Sequence, residues 1–169
     1  MSADREKPDA GFFRKTVVTK LIPYAKKDPR IVLLVCDMGF GAIDEFKKEF
    51  PRRIFNAGIM EQGTVGIAAG MSLSGMVPVV YSIVNFLAFR AIEQIRNDVL
   101  VQKLNVKFIA TGVNNYFRFL GPSHCCGEDD KKIMEVVGMP VFDPYEKPGD
   151  YPQLVERWIT SPSAGYFRV

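Results

Sequence analysis

Two periods of hydrophobic and polar residues alternate along this chain. Residues 31–36, Ile-Val-Leu-Leu-Val-Cys, form a short unbroken apolar run rich in β-branched side chains. Such a run predicts a strand covered on both faces. Elsewhere apolar residues recur every three or four positions, as in Phe86, Phe89, Ile92, Ile95 and Val99, which line one face of a helix. Read this way, the pattern predicts helices over 12–27, 42–50, 60–74, 85–101, 128–137 and 150–160. It predicts strands over 31–36, 53–56, 77–82, 106–111, 140–142 and 165–169, with a long loop at 112–123. Pro51 and Gly75 mark two of the helix ends. Strands and helices in alternation imply an α/β fold, a single three-layer αβα domain with a mostly parallel sheet over residues 11–169. Residues 1–10 read as a flexible N-terminal arm, and there is no internal repeat or interdomain linker.

Composition narrows the classes of function. A chain of 169 residues with 47% hydrophobic and 24% charged residues supports one well-buried core. A net charge of +3, with no basic run longer than two residues, argues against a nucleic-acid partner. The single histidine and the three cysteines, Cys36, Cys125 and Cys126, lack zinc-site spacing, so no metal ligands are assigned to this chain. Adjacent cysteines rarely bridge each other, and reduced thiols fit a cytoplasmic chain. The charged start, Asp4-Arg5-Glu6-Lys7, is unlike a signal peptide. No apolar stretch reaches the ~18 residues of a membrane span, so no membrane partner is expected.

In a parallel sheet, ligands lie beyond the carboxyl ends of the strands. Loops 37–41, 56–61, 82–86 and 111–124 then share one edge and bring Asp37, Glu61, Phe86 and His124 together. An acid, an aromatic ring and the only histidine at one edge make a candidate site. Each residue has a plainer reading as well. Glu61 opens a helix and complements its dipole. Phe86 and Phe89 are three apart and equally suit a core. Asp37 suits an N-cap. His124, in the turn Gly121-Pro122-Ser123-His124, suits a solvated surface imidazole. Glu128 and Asp129 read as caps of the following helix.

Three motifs weight the choice. Gly58-Ile59-Met60-Glu61-Gln62, the run Arg90-Ala91-Ile92-Glu93-Gln94-Ile95-Arg96-Asn97, and Gly121-Pro122-Ser123-His124 together resemble the pyrimidine-binding domain of transketolases. The resemblance runs from about residue 31 to the end and is densest at 53–110. It implies thiamine diphosphate as a cofactor shared with a partner, whose C2 carbanion carries a ketol or acyl unit. In that family the glutamate corresponding to Glu61 meets the aminopyrimidine. Protonated, it favours the imino form that takes the C2 proton. The resemblance further implies Asp37, Ile59, Phe86 and Phe89 as cofactor contacts, with His124 catalytic and substrate-binding. The magnesium and diphosphate site is expected on a separate diphosphate-binding subunit, because no Gly-Asp-Gly with a downstream Asn-Asn occurs here. A homodimer or heterotetramer is expected, active only with that partner.

The departures fall on the substrate side. The family's Thr-His reads Thr111-Gly112, and its Gly-Glu-Asp reads Arg118-Phe119-Leu120. Gly41 stands where a phosphate-binding serine is common, and an aromatic is missing at Ile83. The loop carries Tyr116, Phe117 and Phe119 around one cation, Arg118, which points to a substrate more apolar or carboxylated than a pentose phosphate. A non-catalytic scaffold or regulatory subunit, or a subunit of a 2-oxoacid decarboxylase, remain alternatives.

Overall fold

The computed structural model describes residues 11–169, so the expected arm at 1–10 lies outside the described residues. Helix α1 spans Phe12–Lys27, β1 Ile31–Val35, α2 Asp44–Glu49, β2 Ile54–Asn56, α3 Glu61–Leu73 and β3 Val77–Ile83. A broken helical stretch over 86–100, termed α4, follows. Then come β4 (Lys107–Thr111), α5 (Asp129–Val137), β5 (Val141–Phe142), α6 (Tyr151–Thr160) and β6 (Gly165–Arg168).

The six strands form one sheet in the order β2-β1-β3-β4-β6-β5, and every pair is parallel. The expectation of a mostly parallel sheet is therefore met without an antiparallel edge. Central strands β1, β3 and β4 are covered on both faces, as unbroken apolar runs require. Alternating side chains divide the core in two. Leu34, Val80, Phe108 and Tyr166 pack against α3, α4 and α5. Leu33, Val79, Tyr81, Ile109 and Phe167 pack against α1, α2 and α6, with Trp158 and Phe13 fully enclosed.

The predicted continuous helix over 85–101 is instead two π-helical turns, Phe86–Arg90 and Ile95–Leu100, around one α-helical turn, Ile92–Gln94. Heptad-like spacing does not distinguish the wider turn from an α-turn, and π-turns concentrate at functional sites. No described helix is long and apolar enough to cross a membrane.

Candidate cofactor site at the strand tips

Because all strands run the same way, the loops after β1, β2, β3 and β4 do share one edge. Side-chain amides tie them in pairs. Asn56 at the end of β2 donates from Nδ2 to Asp37 Oδ1 (3.0 Å), while its Oδ1 accepts from the Asp37 and Gly58 backbone N–H groups (3.1 and 3.0 Å). This holds the 57–60 segment that leads into Glu61. Across the sheet, Asn85 donates to the Cys125 carbonyl at 3.0 Å and joins the loop after β3 to the loop carrying His124.

Glu61 is the first residue of α3 and is 1% exposed. Its Oε1 accepts from the Ser82 hydroxyl at 2.8 Å, and its Oε2 lies 2.5 Å from Nη1 of Arg90. The Arg90 guanidinium in turn lies over the Phe86 ring, 4.4 Å from its centroid. The edge of that ring system meets the His124 imidazole at 5.0 Å. A continuous chain of contacts thus runs from Ser82 through Glu61, Arg90 and Phe86 to His124. The burial expected of Glu61 is present, but its ion pair was not expected. A carboxylate removed from water is costly without a counter-charge, and Arg90 supplies one. Cys36, the residue after β1, also faces this carboxyl. Burial, foremost, pushes its thiol upward, so it stays neutral there, 3.6 Å from the Thr64 hydroxyl.

A cavity of about 470 Å³ opens beside these residues, lined by Asn85, Phe86, Phe89, Arg90, Cys125 and Asp129 among others. Phe86 is partly covered and Phe89 about half exposed. Within the chain, then, Phe89 is not a core residue. The Asn85 Oδ1 atom is buried and has no hydrogen-bond partner, which leaves an unused acceptor at this edge. A second cavity, about 480 Å³ and lined by Asn114, Asn115, Tyr116, Arg118 and Cys125, adjoins the first through Cys125. Asn114 and Asn115 both adopt left-handed backbone (φ 55° and 60°). Arg118 is exposed in the turn Arg118–Leu120.

Phe86 and Phe89 thus line the first cavity and Arg118 the second, while Glu61 and His124 lie outside both linings and join the first through Arg90 and the Phe86 ring. Ile59, 70% exposed, and Asp37, also exposed, lie on the β2 and β1 loops outside both cavity linings. Asp37 is no N-cap, since α2 begins at Asp44 behind Ile43. Its φ of 48° and its bonds to Asn56 make it a turn residue joining two loops. Glu128 holds the N-cap position of α5 without a side-chain cap bond. It pairs with Lys131 at 3.2 Å, and Asp129 pairs with Lys132 at 3.0 Å. The three cysteines are free thiols.

The site's scaffold contains residues that spacing did not reveal. Arg168 of β6 is buried between two carboxylates, with Nε 2.7 Å and Nη2 3.0 Å from Asp130 and Nη1 against Asp143. Tyr166 donates to Asp130, and Lys131 reaches Asp143 at 2.8 Å. This network pins α5, and with it the end of the His124 loop, to the sheet. In sequence these residues look like ordinary surface charges.

Residues 13–168 match the family described as transketolase, pyrimidine binding domain. This chain belongs to that family. Its sequence is similar to the 6-deoxy-6-sulfo-D-fructose transketolase subunit SqwH of Clostridium sp. (strain MSTE9), at 31% identity over 80% of this chain and 42% of that protein. It is also similar to a putative transketolase C-terminal section from Methanocaldococcus jannaschii, at 39% identity over 78% of this chain and 42% of that protein. Among solved structures, a split gene transketolase described as an inactive beta4 tetramer superposes with a TM-score of 0.77 and 34% identity, over 92% of this chain and 49% of that one. The chain thus spans less than half the length of those relatives. These relatives are themselves described as a transketolase subunit, a transketolase C-terminal section and a split gene transketolase.

Proposed function

We propose that this chain is the pyrimidine-binding subunit of a split thiamine diphosphate enzyme that transfers a ketol or acyl unit. A partner supplies the diphosphate and Mg2+ site. The observation that carries this reading is the carboxyl of Glu61, buried at the strand tips and paired with Arg90 on the wall of a cavity that Phe86 also lines, with His124 against the Phe86 ring. Those side chains fit the cofactor's ring. They provide one sequestered acid for a ring nitrogen, an aromatic face for stacking, and the unpartnered Asn85 acceptor nearby. When bound, the cofactor supplies a carbon nucleophile, an electron sink for cleaving and forming bonds to a carbonyl carbon.

The chain's own residues do the rest. Glu61 holds a proton against the ring and is kept in line by the Ser82 hydroxyl. Phe86 covers one ring face, and Phe89 and Ile59, both solvent-exposed in the lone chain, close the site from the partner side. Asp37 borders it through Asn56. His124, with Nδ1 3.0 Å from the Ser123 hydroxyl, presents a ring nitrogen to a substrate oxygen. Arg118 gives the adjoining cavity a cation for a substrate carboxylate or other anion.

Co-expression with a diphosphate-binding subunit tests this. The complex should bind thiamine diphosphate with Mg2+, and this chain alone should not. Binding by the partner alone, unchanged on adding this chain, would refute it. A second reading, a scaffold subunit without chemistry, draws on Arg90 lying across Glu61. It predicts a complex that assembles yet is indifferent to loss of the Glu61 acid.

A further inference from the structure

The Glu61–Arg90 contact does not fit an acid already poised for a ring nitrogen. Arg90 takes the only oxygen of Glu61 that Ser82 leaves open, and it covers the Phe86 face on which a flat ring would stack. Yet Arg90 is also the partner that faces solvent. Its side chain is 40% exposed against 1% for Glu61, and it ends a π-helical turn at the cavity's rim. A buried carboxylate cannot shed its counter-charge and stay charged without a large desolvation cost.

The geometry points to Arg90 as a counter-ion that is exchanged for a proton when the cofactor enters. Arg90 withdraws from Oε2 toward solvent, Glu61 takes one proton from the bulk, and the resulting carboxylic acid donates to the ring. Charge and protons balance: the ion pair becomes a neutral acid and a solvated guanidinium. Arg90 is thus a positioning residue. It keeps the carboxyl folded inward in the empty subunit and makes cofactor binding a proton-coupled event. The charged or titratable groups facing Glu61 are Arg90 and the neutral Cys36 thiol, with Asp129 across the cavity and already paired to Lys132. This inference rests on the proposed function.

The test is calorimetric titration of thiamine diphosphate into the assembled two-subunit complex, in buffers of different ionisation enthalpy. Comparison between variants cancels protons released by the diphosphate and metal. Wild type should take up about one proton more per site than Glu61→Gln, which has no acid to fill. Arg90→Met should lose that excess, because its uncompensated buried carboxyl already carries the proton, and Arg90→Lys should restore it. Equal uptake in wild type and Arg90→Met would overturn the inference. So would equal uptake in wild type and Glu61→Gln, a comparison that stands even if Arg90→Met fails to assemble. If Glu61→Gln retained cofactor activation, the proposed function itself would fail. If it lost activation while all uptakes agreed, only the exchange would fail.

Discussion

Single residues decide how tightly this site is held. Gly112 follows β4 with φ of +88°, and a Cβ there would meet the Phe117 ring at 2.2 Å. Any side chain at this place, a histidine included, is therefore incompatible with the present loop, in which Phe117 fills the space. Gly112→Ala should cost about 1–3 kcal/mol through strained backbone alone, and more with the clash. Urea unfolding would show it, and an unchanged midpoint would mean that the loop is not packed as described. Arg168 makes a second residue-scale case. Removing it strands two buried carboxylates, so Arg168→Ala should lose about 3–5 kcal/mol or fail to fold. Retention of full stability would show that the Asp130–Asp143 network contributes nothing.

At the scale of elements, Lys107 shows how a strand and a helix end are coupled. It is fully buried on β4, and its Nζ donates to the carbonyls of Ser161 and Ser163 between α6 and β6. Burial lowers its ammonium to about 8. The unfolded lysine holds its proton to about 10.4, so above pH 8 the unfolded state binds more protons than the folded one. Taken alone, Lys107 makes stability rise as pH goes from 8 to 9. From about pH 8.5 this is opposed by Cys126, whose thiol burial holds protonated to about 12, and by Cys36, whose thiol burial also raises, while unfolded cysteines ionise. Thermal melts from pH 7 to 9 on the unaltered chain and on Lys107→Met separate the terms: the stability difference between the two should move in favour of the unaltered chain as pH rises. A difference that stays constant or moves the other way would contradict the assignment.

The elements themselves were largely legible from hydrophobic period alone. All six strands and the six helical segments stand within a residue or two of their expected limits, because burial of β-branched runs leaves few alternatives. What was not legible depends on contacts between distant segments. The π-turns of α4 preserve an apolar face that an α-helix would also show. The Ser82–Glu61–Arg90 arrangement joins residues 21 and 29 positions apart. The Arg168 network joins residues whose polarity suggested surface. Asp37 illustrates the converse: its place after a strand suggested a cap, whereas its side chain joins two loops.

At the scale of the whole molecule, one side is unfinished. Ile67 on α3 and Phe55 on β2 are about half exposed and Leu73 on α3 is more so, and an apolar groove of about 300 Å³ runs between Phe55, Ile67 and Met71. Gly66 and Gly70 on the same helix have open space where a Cβ would be, so no contact within the chain demands glycine there. Such a face favours association. The isolated chain should self-associate, and Ile67→Lys should shift it toward monomer in light scattering. A monodisperse monomer from the unaltered chain would remove the argument for a shared interface.

The claim on which the account turns is that Glu61 activates the cofactor from this subunit. Deuterium exchange at C2 of bound thiamine diphosphate, followed by NMR after acid quench, reads that step without any knowledge of the substrate. In the complex, Glu61→Gln should slow exchange by about 10²–10⁴-fold while leaving assembly intact. Exchange as fast as in the unaltered complex would show that the proton is handled elsewhere.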